Sequence, residues 1–185
     1  MELSAIEIIK PADANVIIGQ AHFIKTVEDL YEAVVAAVPA VKFGVAFNEA
    51  SGPCLIRHTG TDAELEDAAV KAASAIGAGH VFVVMLGNAF PINVLNQVKG
   101  IAEVCSIFCA TANDVRVIVA AADGGSARGV MGVIDGNAPK GIEGHQDQAE
   151  RPGLIQEGSA TLDGLARSVT RSLSVTAASG IRPTR

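Results

Sequence analysis

The chain has 185 residues, 49% apolar and 18% charged, with a net charge of −6. That length suits one domain with a hydrophobic core, and the acidic balance without a basic stripe speaks against a binder of nucleic-acid backbones, although backbone amides can still build a local anion pocket. No apolar run approaches the roughly 18 residues needed to span a bilayer, and the opening "MELSAIEIIK" alternates and carries charge, unlike a signal peptide. The expected setting is cytoplasmic, with no nucleic-acid and no membrane partner.

In chain order, "AIEII" and "NVIIGQAHF" read as strands. Val27, Leu30, Tyr31, Val34, Val35 and Val38 fall at helical spacing, with Thr26 as the expected N-cap, Asp29 three residues on, and Pro39 as the stop. "KFGVAFNE" is a strand, "SGP" a turn and "CLIRHTG" a shorter strand. Asp62 caps a second helix whose small face is Leu65, Ala68, Ala69, Ala72, Ala73 and Ile76; Gly77 and Gly79 close it. "HVFVVML" is nearly all apolar, as expected of a strand covered on both faces. A helix follows from Pro91 to about Lys99. "VCSIFCATA" and "VRVIVAAA" are strands parted by the turn pair Asn113-Asp114. "DGGSARG" connects to a last strand, "VMGVID", and "GNAPKG" is a loop. The predicted class is α/β, a single domain with a mixed sheet and packed helices. The domain is expected over residues 1–156, with a partly disordered extension over 157–185 that is rich in Ser, Thr and Ala. Cys54, Cys105 and Cys109 lack zinc spacing and read as three buried thiols.

No P-loop, GxGxxG after a strand, GxSxG elbow or HExxH is present, and no metal site is expected. What repeats is an apolar strand ending in a polar, glycine-bearing corner. "GQAHFIKT" puts Gln20, His22, Lys25 and Thr26 where a strand feeds a helix, a place that favours anions. "FNEASG" offers Asn48 and Glu49. His80 opens the strand before "GNAFPIN", where Asn88 and Asn93 present amides that both donate and accept. "IDGNAPKG" offers Asp135 and Lys140. Each has a plain structural reading as a turn, cap or core histidine. "DGGSARG", with Arg128 near its end, reads as a hairpin loop before it reads as a phosphate cradle.

The strings "GQAHFIKTVEDLYEAV", "KFGVAFNEASG", "IGAGHVFVVMLGNAFPINVLN", "VCSIFCATAN" and "GVMGVIDGNAPKGIE" resemble the adenosine-specific kinase family, from about Ile6 to Glu143. The resemblance implies an α/β domain that assembles as a trimer, binds adenosine and AMP, and carries phosphoryl chemistry at a histidine. On it, "GNAFPIN" becomes a wall of the nucleoside pocket, with Phe90 as its apolar face. His22 would be the nucleophile, Lys25 and Lys140 would neutralise charge, and Glu49 would serve as base or metal ligand. Mg²⁺ would enter with a phosphoryl donor. The sequence departs from the family pattern at Pro53-Cys54, where a basic or polar pair is expected, and at Pro152-Gly153, which breaks a terminal helix. The rival reading is a non-catalytic adenine-nucleotide sensor.

Overall fold

The computed structural model describes residues 1–148. The chain divides into two units, Met1–Asn137 and Ala138–Arg185. In the second, residues 145–148 form a helical turn in which the Gln148 amide donates to the Gly144 carbonyl at 3.1 Å. The expected boundary at 156/157 and the extension beyond it lie outside the described residues.

The first unit holds eight strands and three α-helices: β1 (Glu2–Glu7), β2 (Asn15–Ala21), α1 (Thr26–Ala37), β3 (Phe43–Asn48), β4 (Ile56–Gly60), α2 (Ala63–Ile76), β5 (Val81–Leu86), α3 (Pro91–Lys99), β6 (Val104–Thr111), β7 (Val115–Ala122) and β8 (Ala127–Asp135). They form a five-stranded sheet, ordered β4-β3-β5-β2-β6, and a three-stranded sheet, ordered β1-β7-β8. The predicted α/β class holds, but the mixed sheet does not: neighbouring strands in both sheets pair antiparallel. The reason lies in the crossovers. A strand-helix-strand connection returns the chain parallel to its start. Here β2-α1-β3, β4-α2-β5 and β5-α3-β6 do return parallel, but each leaves room for one strand between its ends. The inserted strand pairs antiparallel with both neighbours.

Helices cover both faces of the large sheet. On one face α1 and α3 bury Leu30, Val34, Val94 and Val98 against Ile17, Phe43, Val45, Phe82 and Val84. On the other, the alanine face of α2 and Val115, Val117 and Val119 of the small sheet pack on Val16, Ile18, Ala46, Val83 and Met85. All six residues of β5 are buried, which explains why its sequence shows no alternation. The caps follow the sequence in part. Asp62 accepts from Glu64 and Leu65 amides at 3.2 and 3.3 Å, and Gly77 takes the left-handed C-terminal position at φ 60°. Thr26 does not cap α1: Lys25 holds that position without a side-chain bond, and Thr26 is the first helical residue, its hydroxyl donating to the Phe23 carbonyl. Of the cysteines only Cys109 is buried; Cys54 sits in a turn and Cys105 on β6, both exposed. Burial, with the Asp135 charge second, pushes the Cys109 thiol up to about 11. None of the described helices is long and apolar enough to cross a membrane.

The alanine face lets α2 lie close on β3, and Gly44 marks the closest approach. A Cβ there would overlap the backbone of Leu65 and Glu66. Because those atoms are backbone, relief requires lifting the helix. Gly44→Ala should therefore destabilise the fold by about 3 kcal/mol, read as a lower urea midpoint; an unchanged midpoint would mean that α2 shifts freely.

Candidate functional site

Three chain segments meet at one end of the large sheet. β2 and β3 run parallel and both finish there, while β5, inserted between them, starts there. The residues just past β2, just past β3 and just before β5 are His22, Glu49 and His80. All three line one cleft of about 190 Å³, together with Phe23, Ile24, Phe47, Ala50 and Ser51.

Each position is locked by backbone. The His22 amide donates to the Glu103 carbonyl at 3.0 Å, holding the strand end against the start of β6 and leaving the side chain exposed. His80 has φ 64°, a left-handed conformation unusual outside glycine. Both of its peptide groups are engaged: its amide donates to Asn48 at 2.7 Å and its carbonyl accepts from Ala21 at 2.9 Å. These bonds tie the turn to β3 and β2 together. The ring stacks on Phe47, with centroids 6.0 Å apart and planes at 21°. A strained residue held by its surroundings at a cleft is a mark of functional constraint.

Glu49 is fixed by a tight hairpin. Its Oε1 accepts from Arg57 Nε at 2.7 Å and its Oε2 from the Leu55 amide at 2.8 Å. The Arg57 bond first, and the Leu55 amide second, hold the carboxyl below its usual range. This carboxylate keeps its charge and its two bonds, which suits orienting or electrostatic work better than taking up a proton. Lys25 is exposed and pairs with Asp29 one turn on, which raises its pKa. Its ammonium therefore stays charged.

The remaining predicted residues are placed as follows. Gln20 is exposed on β2. Thr26 is buried with its hydroxyl committed to the backbone. Asn48 is buried, donating from Nδ2 to the Ala73 and Ala78 carbonyls at 2.9 and 3.0 Å. Asn88, Phe90 and Asn93 lie beyond the far end of β5, about 20 Å away at the usual rise per strand residue. There Asn88 bonds Lys42 and Ala40 of the chain preceding β3, and Asn93 Oδ1 accepts from the Phe90 amide at the start of α3. Phe90 is exposed. Asp135 is at that end too: it accepts from Thr111, which pairs with Val16 near the start of β2, and from Asn113. Within one chain these four do not join His22. Lys140 lies in the second unit and is exposed.

Sequence reading missed Phe23, Ile24, Phe47 and Arg57. Arg57 was within reach. "SGPC" as a hairpin turn sets Glu49 opposite Leu55, so the residue two further on lies diagonally across from Glu49, and there it is an arginine. Among the described residues, no group of three or more His, Cys, Asp or Glu side chains could hold a metal ion.

An antiparallel sheet layered with helices, carrying two histidines and a paired carboxylate at one end, defines a small α/β domain with a polar corner. The model of the family described as adenosine specific kinase matches residues 6–159, and the chain belongs to that family. It is also similar, at 48% identity and a TM-score of 0.80, to the crystal structure of the PH1918 protein from Pyrococcus horikoshii OT3. That match covers 84% of this chain and 95% of the other. No curated protein matches the chain.

The Glu49–Arg57 pair sets a pH dependence. A carboxyl whose folded pKa is depressed contributes stability above its unfolded pKa, and that contribution is lost as pH falls through the folded value. Arg57→Met should move the Glu49 titration upward toward the ordinary carboxylate range, followed by NMR of the side-chain carboxyl. No movement would mean that the Leu55 amide alone holds it down.

Proposed function

We propose that the chain binds adenosine and AMP at the His22–Glu49–His80 cleft and transfers a phosphoryl group to adenosine by way of His22. The observation that supports this reading is the convergence of an exposed histidine, a strained histidine stacked on Phe47 and an arginine-held carboxylate on one cleft, in a member of a family named for adenosine phosphorylation. Phe23 and Ile24, exposed beside the histidine, offer the apolar surface a base needs.

In this scheme an imidazole nitrogen of His22 attacks the donor's phosphorus, and the bond from phosphorus to the donor's leaving group breaks. The adenosine 5′-hydroxyl then attacks the same phosphorus. The new P–O bond forms as the P–N bond breaks, and the hydroxyl proton passes to the released imidazole. Lys25, at the start of α1, supplies positive charge that a donor phosphate would share with Asp29. Mg²⁺ would come with the donor phosphate and supply charge neutralisation there. The described residues offer no cage for it, and both Glu49 oxygens are already bonded within the chain.

His22→Ala should abolish AMP formation from adenosine and a panel of phosphoryl donors while leaving adenosine affinity within about twofold, because a group acting only in the transfer step contributes little to ground-state binding. Unchanged turnover in a folded His22→Ala protein would remove His22 from the chemistry and turn attention to His80. Adenosine binding with no turnover from any donor, in the unmodified chain, would establish the sensor reading instead.

We propose further that the chain assembles as a trimer in the cytoplasm. The three-stranded sheet leaves Leu3, Met131 and Ile134 exposed, apolar surface that a second copy would cover. Light scattering should give a mass three times the 18.9 kDa of one chain; a monomer at micromolar concentration would refute the assembly.

A further inference from the structure

Beyond the Glu49–Ala50 wall lies a second cleft, of about 430 Å³, which shares those two residues with the first. Its far side is built by the "DGGSARG" connection. Gly124 and Gly125 take φ of 70° and 94°, reversing the chain so that Ser126 and the first two residues of β8, Ala127 and Arg128, lie along the cleft. The Arg128 guanidinium rests at the C-terminal end of α2. Its Nη1 reaches the Ala75 carbonyl at 3.4 Å, and a Cβ on Gly77 would stand 3.1 Å from the same nitrogen. A helix C-terminus favours a cation, and the absent side chain at Gly77 makes the room. One long bond leaves most of the guanidinium's five donors for other acceptors. Among the described side chains, no carboxylate pairs with it.

Two features of the opposite wall bear on what would bind. Glu49 is ionised, but its charge is balanced by Arg57, and each of its oxygens accepts a bond within the hairpin. Asn48, 6% exposed, is among the residues that line the cleft; its Oδ1 is buried and has no hydrogen-bond partner, while its Nδ2 donates to the Ala73 and Ala78 carbonyls. A buried acceptor without a partner is uncommon and is served by a water or by a ligand's donor.

We propose that this cleft binds the phosphate of a small monophosphorylated molecule on Arg128, with a hydroxyl or amino group of the same molecule serving Asn48 Oδ1. A guanidinium matches a phosphate's oxygens in bidentate fashion. A single cation in a chain of net charge −6 suits one phosphate group and not a triphosphate. The assignment as a phosphoryl-donor subsite rests on the function proposed above; the anion site itself does not.

The test titrates the full chain with inorganic phosphate, with phosphoramidate, with tripolyphosphate and, separately, with adenosine. The wild type should bind phosphate and phosphoramidate, and tripolyphosphate no more tightly. Arg128→Gln should weaken both by about tenfold or more, the scale of a lost charged hydrogen bond, while Arg128→Lys keeps part of the affinity. Arg128 is exposed, and circular dichroism checks that each variant folds. Adenosine affinity should be unchanged in both. Phosphate binding that survives Arg128→Gln but disappears in His22→Ala would place the anion in the first cleft and overturn the proposal, while leaving the adenosine reading intact. Failure of the folded wild type to bind phosphate would overturn it as well. Arg128-dependent phosphate binding without any adenosine binding would keep the subsite and remove the function assigned to its neighbour.

Discussion

The insertion of β5 between β2 and β3 is the constraint on which the rest depends. Two parallel strands cannot pair directly here, because α1 carries the chain across a gap one strand wide. β5 fills the gap running the other way. Its ladder bonds go to both neighbours, and its side chains are buried on both faces. One consequence is thermodynamic: the most apolar strand is central, where burial contributes most. The other is geometric. The ends of β2 and β3 and the start of β5 fall side by side, so residues 22, 49 and 80 become neighbours without belonging to any common sequence motif.

This explains how far the sequence could be read. Periods, caps and turns are local, and the helices around Leu30, Leu65 and Val94 follow from them. The tendency of polar corners to follow apolar strands was also visible. What local patterns do not carry is which strand lies between which. A strand-helix-strand repeat predicts parallel strands, and β2 and β3 are parallel; that they are not adjacent is decided by long-range packing. The same blindness grouped Asn88 and Asn93 with His22. A strand has two ends, and only the sheet order says which end a corner occupies. An asparagine that closes a turn on Lys42 and Ala40 also presents the same letters as one that reads a base. Arg57 and Phe47 went unread because an arginine on an edge strand and a phenylalanine in a core strand are the commonest of placements. Only the hairpin register and the stacked His80 ring give them roles.

His80 shows how the fold holds strain at the wall of a cleft. A left-handed non-glycine residue costs of order 1 kcal/mol or more and persists only when its surroundings fix it. Here the fixing bonds are those that seal the inserted strand to its neighbours, Asn48 on one side and Ala21 on the other. Releasing the strain would break the start of the central strand. Gly79 adds to this, because a Cβ at that position would come within 2.7 Å of the Ala50 Cβ. The turn before β5 thus packs closely against the turn after β3, with no room for a side chain at Gly79.

Glu49 gives that wall its electrical character. An unpaired carboxylate between two clefts would repel phosphate from both. By accepting from Arg57 and from the Leu55 amide it stays ionised while its charge is balanced within the hairpin. Two cations stand near this partition: Lys25 at the start of α1, paired with Asp29, and Arg128 at the end of α2, beside the second cleft. The two cations use opposite ends of two helices. Lys25 adds to the positive end of one, and Arg128 is favoured by the negative end of the other. An anion approaching Lys25 competes with Asp29 and finds the first amides of α1 already donating to the carbonyls of Phe23, Ile24 and Lys25, whereas one approaching Arg128 meets a guanidinium with no carboxylate partner among the described side chains. The first cation is balanced where it stands by a carboxylate on its own helix; the second keeps most of its donors for an acceptor from outside.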